Sequence, residues 1–233
     1  MSAMISVIIP TLNAQKRLPQ CLSALFNATL EGLIAEVIIV DGGSDDDTFT
    51  IAEAFGAKII TSERGRGAQL AAGAAAARSP WFLFLHADTI LTDRWPQVAK
   101  EMIDAVERSA GVFELQFDPP TNASRFVAWG AMARTKWFRL PYGDQGLLIS
   151  RSSYDEIGGF HPMPLFEDVH FMDRLVKIKG RNGFQILNAD AITCAERYEK
   201  KGHLKRVIKN FICLLMYRIG IAPEKILKWY EMP

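Results

Sequence analysis

The sequence predicts an α/β fold: a Rossmann-like, mostly parallel central sheet flanked by helices, joined to a second half with mixed strands. Three observations lead there. Short apolar runs alternate with helical patterns from the first residues, the run WFLFL at 81–85 shows no apolar–polar alternation, and the regular rhythm ends near residue 110. A strand without alternation is covered on both faces, as in the interior of a parallel sheet.

Taken in order, ISVIIP (5–10), EVIIV (36–40), AKIIT (57–61) and WFLFL (81–85) read as strands, and segments 16–28, 47–55 and 67–78 between them as helices. This βαβαβαβ order calls for right-handed crossovers and helices on both faces of the sheet. A helix over 93–108 follows. Beyond it the sequence predicts a strand at 111–117, a helix at 124–138, a strand at 146–150, a helix at 168–179, a strand pair near 184–193 and a basic helical tail. No repeat or long linker interrupts the chain. One domain over 1–233 is expected, made of a 1–110 half, a 111–195 half and a 196–233 tail.

Composition narrows the function classes. The 27 basic and 26 acidic residues nearly cancel, which gives no reason to expect a nucleic-acid partner. Cys21, Cys194 and Cys213 are far apart, so neither a disulfide framework nor a cysteine zinc site is indicated, and a cytoplasmic location is the default. The first apolar run begins within four residues and has no basic flank, which reads as a strand and not as a signal peptide. No apolar run approaches the roughly 20 residues that span a bilayer. Between residues 196 and 228, however, nine Lys/Arg stand against three Glu.

The familiar nucleotide fingerprints are missing: no GxxxxGK[ST] occurs, and GRGAQLAAG lacks the third glycine of GxGxxG. HADT also departs from the DxDxT of phosphatases with an aspartyl nucleophile, because His86 stands at the nucleophile position. What remains is a row of polar strand ends. Thr11 and Asn13 follow the first strand, Asp41 the second and Asp88 the fourth, all on the carboxyl edge where open α/β sheets bind ligands.

On these residues the chain resembles family 2 glycosyltransferases of the GT-A fold, and the likeness runs over essentially its whole length. The matching motifs are IIPTLNA, VIIVDGGSDDDT, GRGAQLAAGAAAA, FLHADT in place of the DxD signature, and FEDVHFMDRL at 166–175. HADT, with GDQG at 143–146, is similar to a small soluble bacterial subgroup of that family.

The resemblance implies roles. Pro10, Thr11 and Asn13 would hold the base and ribose, and Asp41 would accept a hydrogen bond from a uracil ring N–H. Arg64 and Arg66, at the start of the third helix, would meet the diphosphate. Asp88 inherits the metal-binding place of the DxD, since Mg²⁺ and Mn²⁺ can bind through one or two carboxylates plus substrate phosphates. His86 is left with three roles, on the ribose, at the metal or structural; the first and last are preferred, which makes Mg²⁺ as plausible as Mn²⁺. Asp168 would be the catalytic base and Glu167 would orient groups around it, while Asp144 and Gln145 would lie by the acceptor and Arg197 would clamp phosphate.

The expected activity is therefore inverting transfer of a sugar from a nucleotide-diphosphate donor, a UDP-sugar, to an acceptor hydroxyl with help from a divalent metal. A sugar-nucleotide pyrophosphorylase and a non-catalytic nucleotide-sugar-binding module are the alternatives. The apolar residues Trp129, Trp137, Phe138, Val207, Ile208, Phe211, Ile212, Leu214 and Leu215 interleave with Lys and Arg. Core packing is the expected account of them. A basic-aromatic surface also suits an anionic membrane and a lipid-linked acceptor, so peripheral membrane contact is a further expectation.

Overall fold

In the computed structural model, which describes residues 4–105, 110–194 and 203–231, one eight-stranded sheet runs through the molecule. Its first part contains β1 (Ile5–Thr11), β2 (Ile34–Asp41), β3 (Lys58–Thr61) and β4 (Trp81–Phe84). These pair in parallel in the order β3-β2-β1-β4. Every residue of β1 is buried. Ile5, Val7 and Ile9 enter one core with α1 (Leu18–Ser23), α2 (Phe26–Leu30) and α5 (Trp95–Asp104). Ile8 enters the other, with α4 (Arg66–Ala76), α7 (Arg151–Ile157) and α8 (Glu167–Lys179). The largely apolar strand thus serves two cores through ordinary period-2 geometry.

The second part is mixed. Antiparallel β7 (Leu147–Ser150) joins β4 to β6 (Ala110–Asp118), β8 (Gln185–Cys194) runs parallel to β6, and β5 (Thr89–Leu91) pairs antiparallel with β8. Helices α3 (Thr48–Ala54), α6 (Asn122–Phe138), α9 (His203–Arg218) and α10 (Pro223–Glu231) complete the described chain.

Several elements differ from expectation. The helix over 16–28 is two short helices, α1 and α2. The strand pair near 184–193 is one strand with a bulge: Phe113 pairs with Leu187 and Glu114 with Asp190, leaving Asn188 and Ala189 as extra residues that interrupt the period-2 pattern. Helix α5 has Pro96 in its first turn and ends at Asp104, short of 108. Two elements were not foreseen: β5, and α7, which Ser150 caps by accepting from Ser153 N and Gly158 ends at φ 85°.

Candidate active site

At the ends of β1 and β2, Thr11 and Asp41 are register partners, and both are buried. The Asp41 carboxylate accepts four hydrogen bonds, from Thr11 Oγ1 at 2.9 Å, Ser44 Oγ at 2.5 Å, Gly43 N at 2.8 Å and Ser44 N at 2.7 Å. Burial opposes its ionisation, but these bonds, those from Ser44 foremost, outweigh it and hold the carboxyl below its ordinary value. With two bonds on each oxygen and no exposed surface, Asp41 organises the 42–44 turn.

Its neighbours are used in the same way. Pro10 and Thr11 lie inside, so neither presents a side chain to a ligand. Asn13, in the left-handed region at φ 52°, is exposed; its N–H donates to Ser44 Oγ at 2.8 Å and its Oδ1 accepts from Asp45 N at 3.0 Å. From α4, Gln69 donates to the carbonyls of Thr11 and Val40 at 2.8 and 2.7 Å and fills the space a Gly42 side chain would need, 3.2 Å from where its Cβ would stand.

Beside this closed corner lies an open cleft of about 260 Å³, lined by Arg66, His86, Asp88, Tyr142, Gly143, Asp144, Phe166 and Asp168 and by Asn210, Cys213 and Tyr230 of the C-terminal helices. Arg66, the first residue of α4, is 44% exposed; its Nε lies 2.9 Å from the buried Glu167 carboxylate and its Nη1 3.5 Å from His86 Nε2. Arg64 stays exposed on the preceding loop. Glu167 is pushed up to about 7, by burial first and by neighbouring Asp168, with Arg66 opposing.

The start of α8 is positioned from outside the helix. Gly67 has no room for a Cβ, which would stand 2.2 Å from His161 O and 3.0 Å from Met163 N, so the backbone before α8 rests on α4. Phe166 takes φ 67°, rare for a bulky residue, and stacks on Tyr217 of α9 with ring centroids 4.8 Å apart. The next turn brings Asp168 to the cleft, where its Oδ2 accepts from Gly143 N at 2.9 Å and its Oδ1 from Val169 N at 2.7 Å.

Gly143 opens the 3-10 turn Gly143–Gln145 ahead of β7, and a Cβ there would lie 2.6 Å from His86 Nε2. Asp144 lines the cleft with its Oδ1 buried and without a partner among the described residues. Burial raises its carboxyl to about 6, with Asp168 and Asp88 adding to the effect and Arg134 opposing it. Gln145 departs from expectation. Its side chain is buried, accepting from Thr135 Oγ1 at 2.7 Å and donating to Phe113 O at 3.1 Å, so it braces α6 against the sheet and does not face an acceptor. Arg197 lies outside the described residues.

Among the described residues no cluster of three His, Cys, Asp or Glu side chains holds a metal by itself. The chemistry of the donor set still suits a hard divalent cation. Asp88 offers a carboxylate on the cleft wall, which Asp144 also lines, and Mg²⁺ or Mn²⁺ needs only one or two carboxylates when substrate phosphates supply the rest. Tyr142, Phe166, Asn210, Cys213 and Tyr230 were not anticipated at the cleft. Only GDQG carried a local signal for that turn; nothing in the basic tail marks the face that α9 turns inward.

The model of the family described as glycosyl transferase family 2 matches residues 6–164. Among curated proteins, a PGL/p-HBAD biosynthesis glycosyltransferase of Mycobacterium bovis is 38% identical over 95 residues, covering 38% of this chain and 36% of that protein. The dolichol-phosphate mannosyltransferase of Pyrococcus furiosus is 26% identical over 159 residues, 66% of this chain and 42% of that one. The matches therefore take in less than half the length of each of these relatives. Among solved structures, glucosyl-3-phosphoglycerate synthase from Mycobacterium tuberculosis in complex with Mn²⁺, UDP and glucosyl-3-phosphoglycerate superposes with a TM-score of 0.65 at 20% identity, covering 94% of this chain and 81% of that one.

Proposed function

Because the chain belongs to glycosyl transferase family 2 and has the GT-A fold, we propose that it transfers a sugar, with inversion, from a UDP-sugar to an acceptor hydroxyl in this cleft. One observation carries the reading. Asp88 at the end of β4, Arg66 at the start of α4 and Asp168 at the start of α8 come from distant parts of the sequence and line the same cavity. The solved neighbour holds UDP and Mn²⁺, which supports a nucleotide diphosphate and a divalent metal here.

In this reading Arg66 and the N-terminus of α4 face the diphosphate. Asp88 would hold Mg²⁺ or Mn²⁺, which offsets charge on the leaving group. Asp168, steadied by the Gly143 N–H, removes the acceptor proton as the hydroxyl oxygen attacks the anomeric carbon. Glu167 keeps Arg66 in place, and Asp144 stands as the second carboxyl on the acceptor side. Asp41 and the 42–44 loop it organises, with the exposed Asn13 beside them, would meet the base.

The test separates chemistry from binding. Asp168→Asn is expected to keep UDP and Mn²⁺ affinity by calorimetry while kcat falls by about 100-fold or more, the scale of general-base catalysis. Asp88→Asn should instead remove the metal dependence of UDP binding. Near wild-type transfer by Asp168→Asn would move the base to Asp144 or Glu167. Exchange of pyrophosphate into a nucleotide sugar would favour a pyrophosphorylase, and binding without any transfer or donor hydrolysis would favour a silent module.

A further inference from the structure

Outside the cleft, two helices carry their largest apolar side chains on the solvent side. Helix α6 buries its small residues, Ser124, Ala128, Ala131 and Thr135, and leaves Phe126, Trp129 and Trp137 exposed by 70, 61 and 61%. At about 100° per residue the buried four share one narrow arc, and the three aromatic residues lie on the opposite one. Gly130, on the aromatic side, faces open space. The core packing expected for Trp129, Trp137 and Phe138 is therefore absent, whereas Leu214 of α9 does pack on the core. A helix made for a water-facing surface has the reverse arrangement.

Helix α9, which packs against α6, repeats the inversion. It turns Asn210 and the buried Cys213 toward the cleft and exposes Ile208, Phe211, Ile212 and Leu215. Charge adds a second, independent observation: α6 and α9 carry no Asp or Glu, and of their seven Lys/Arg, Arg125 and Lys136 are exposed beside the aromatic residues while Arg134 is held by Leu140 O and Arg218 by Asp173.

We propose that the α6–α9 face docks on an anionic lipid bilayer. Aromatic and aliphatic groups interspersed with cations are what the boundary between headgroups and acyl chains accepts, and attraction to anionic lipid adds to the buried apolar area. A second copy of the chain is the weaker occupant, since a two-fold contact would set two acid-free, basic helix pairs against each other. Among the described residues no helix is long and apolar enough to cross a membrane, so the helices lie along the surface. Because α9 is also a wall of the cleft, a hydroxyl carried by a lipid would reach the reacting groups without leaving the membrane; this last consequence, unlike the docking, rests on the transfer reading.

The experiment is cosedimentation of the full chain with vesicles of equal parts phosphatidylglycerol and phosphatidylcholine, and of phosphatidylcholine alone, at low and high salt. The expected result is binding to the anionic vesicles at low salt, weakened by salt, with little binding to the neutral ones. Trp129→Glu combined with Phe211→Glu should weaken binding at least about tenfold, with circular dichroism and thermal unfolding unchanged because both side chains are exposed. Wild-type protein left in the supernatant at low salt overturns the proposal, as does equal binding to neutral vesicles or by the double variant. A dimer in lipid-free sedimentation that the same substitutions dissociate overturns it in favour of self-association. Because no donor or acceptor enters the assay, its outcome is independent of the transfer reading.

Discussion

Asp41 and Asp144 stand at the same edge of one sheet and are treated in opposite ways. Asp41, ending β2, accepts four internal hydrogen bonds that keep it ionised. Asp144, just ahead of β7, keeps an oxygen with no partner among the described residues, and burial raises its carboxyl to about 6. The contrast extends to their surroundings. Around Asp41 the polar groups are consumed in holding loops, with Gln69 clasping two strand-end carbonyls. Around Asp144, Asp88 and Asp168 line the open cleft. A buried polar group without a partner costs stability, and such costs collect where chemistry is done.

The largest expected effect tests the closed side. Asp41→Ala leaves Thr11 Oγ1 and the amides of residues 43 and 44 without their acceptor, and should cost about 3–5 kcal/mol of stability in urea unfolding. A loss under about 1 kcal/mol would show that the turn does not depend on the carboxylate and would break the comparison.

Next comes pH. With a folded pKa near 6 against an ordinary 3.8, Asp144 binds its proton more tightly in the native state, so its ionisation lowers stability as pH rises through that window. In EDTA, wild-type protein should lose about 2 kcal/mol relative to Asp144→Asn between about pH 4 and 7. Parallel stability curves would mean that the carboxyl is solvated.

The smallest effects come from two glycines. Gly42→Ala crowds the clamped Gln69 and should lower stability by about 1 kcal/mol with little change in KM. Gly143→Ala pushes instead on His86 and should lower kcat/KM about tenfold while barely moving Tm. If both variants lose stability alike, the two sides differ less than their hydrogen bonding indicates.

Much of this was legible in the sequence, for reasons that also explain the rest. Buried parallel strands are apolar throughout, so β1, β2, β3 and β4 and the polar residues at their ends stand out. Asp88, Asp168, Arg66 and Asp144 were identifiable as residue types at helix starts and strand ends, and the structure arranges them around one cavity. Whether a polar group is already satisfied was not legible. Thr11, Asp41 and Gln145 read as ligand contacts, and their internal partners lie 10 to 32 residues away or in the turn itself. Orientation was hidden for the same reason: α6 carries aromatic residues at helical spacing, and only tertiary packing decides that its alanines face inward. The bulge at Asn188 and Ala189 hid β8 by imitating a turn.

The missing side chain at Gly67 has a consequence for motion. There the backbone of residues 161–163 is seated directly on the first turn of α4, while β4 and β7 carry the sheet unbroken from the parallel part to the mixed part. Two separate joints thus lock the halves to each other, one through the sheet and one above it. A clamshell movement would have to break both. A ligand reaching the cleft would therefore meet a fixed frame, without one lobe swinging away from the other.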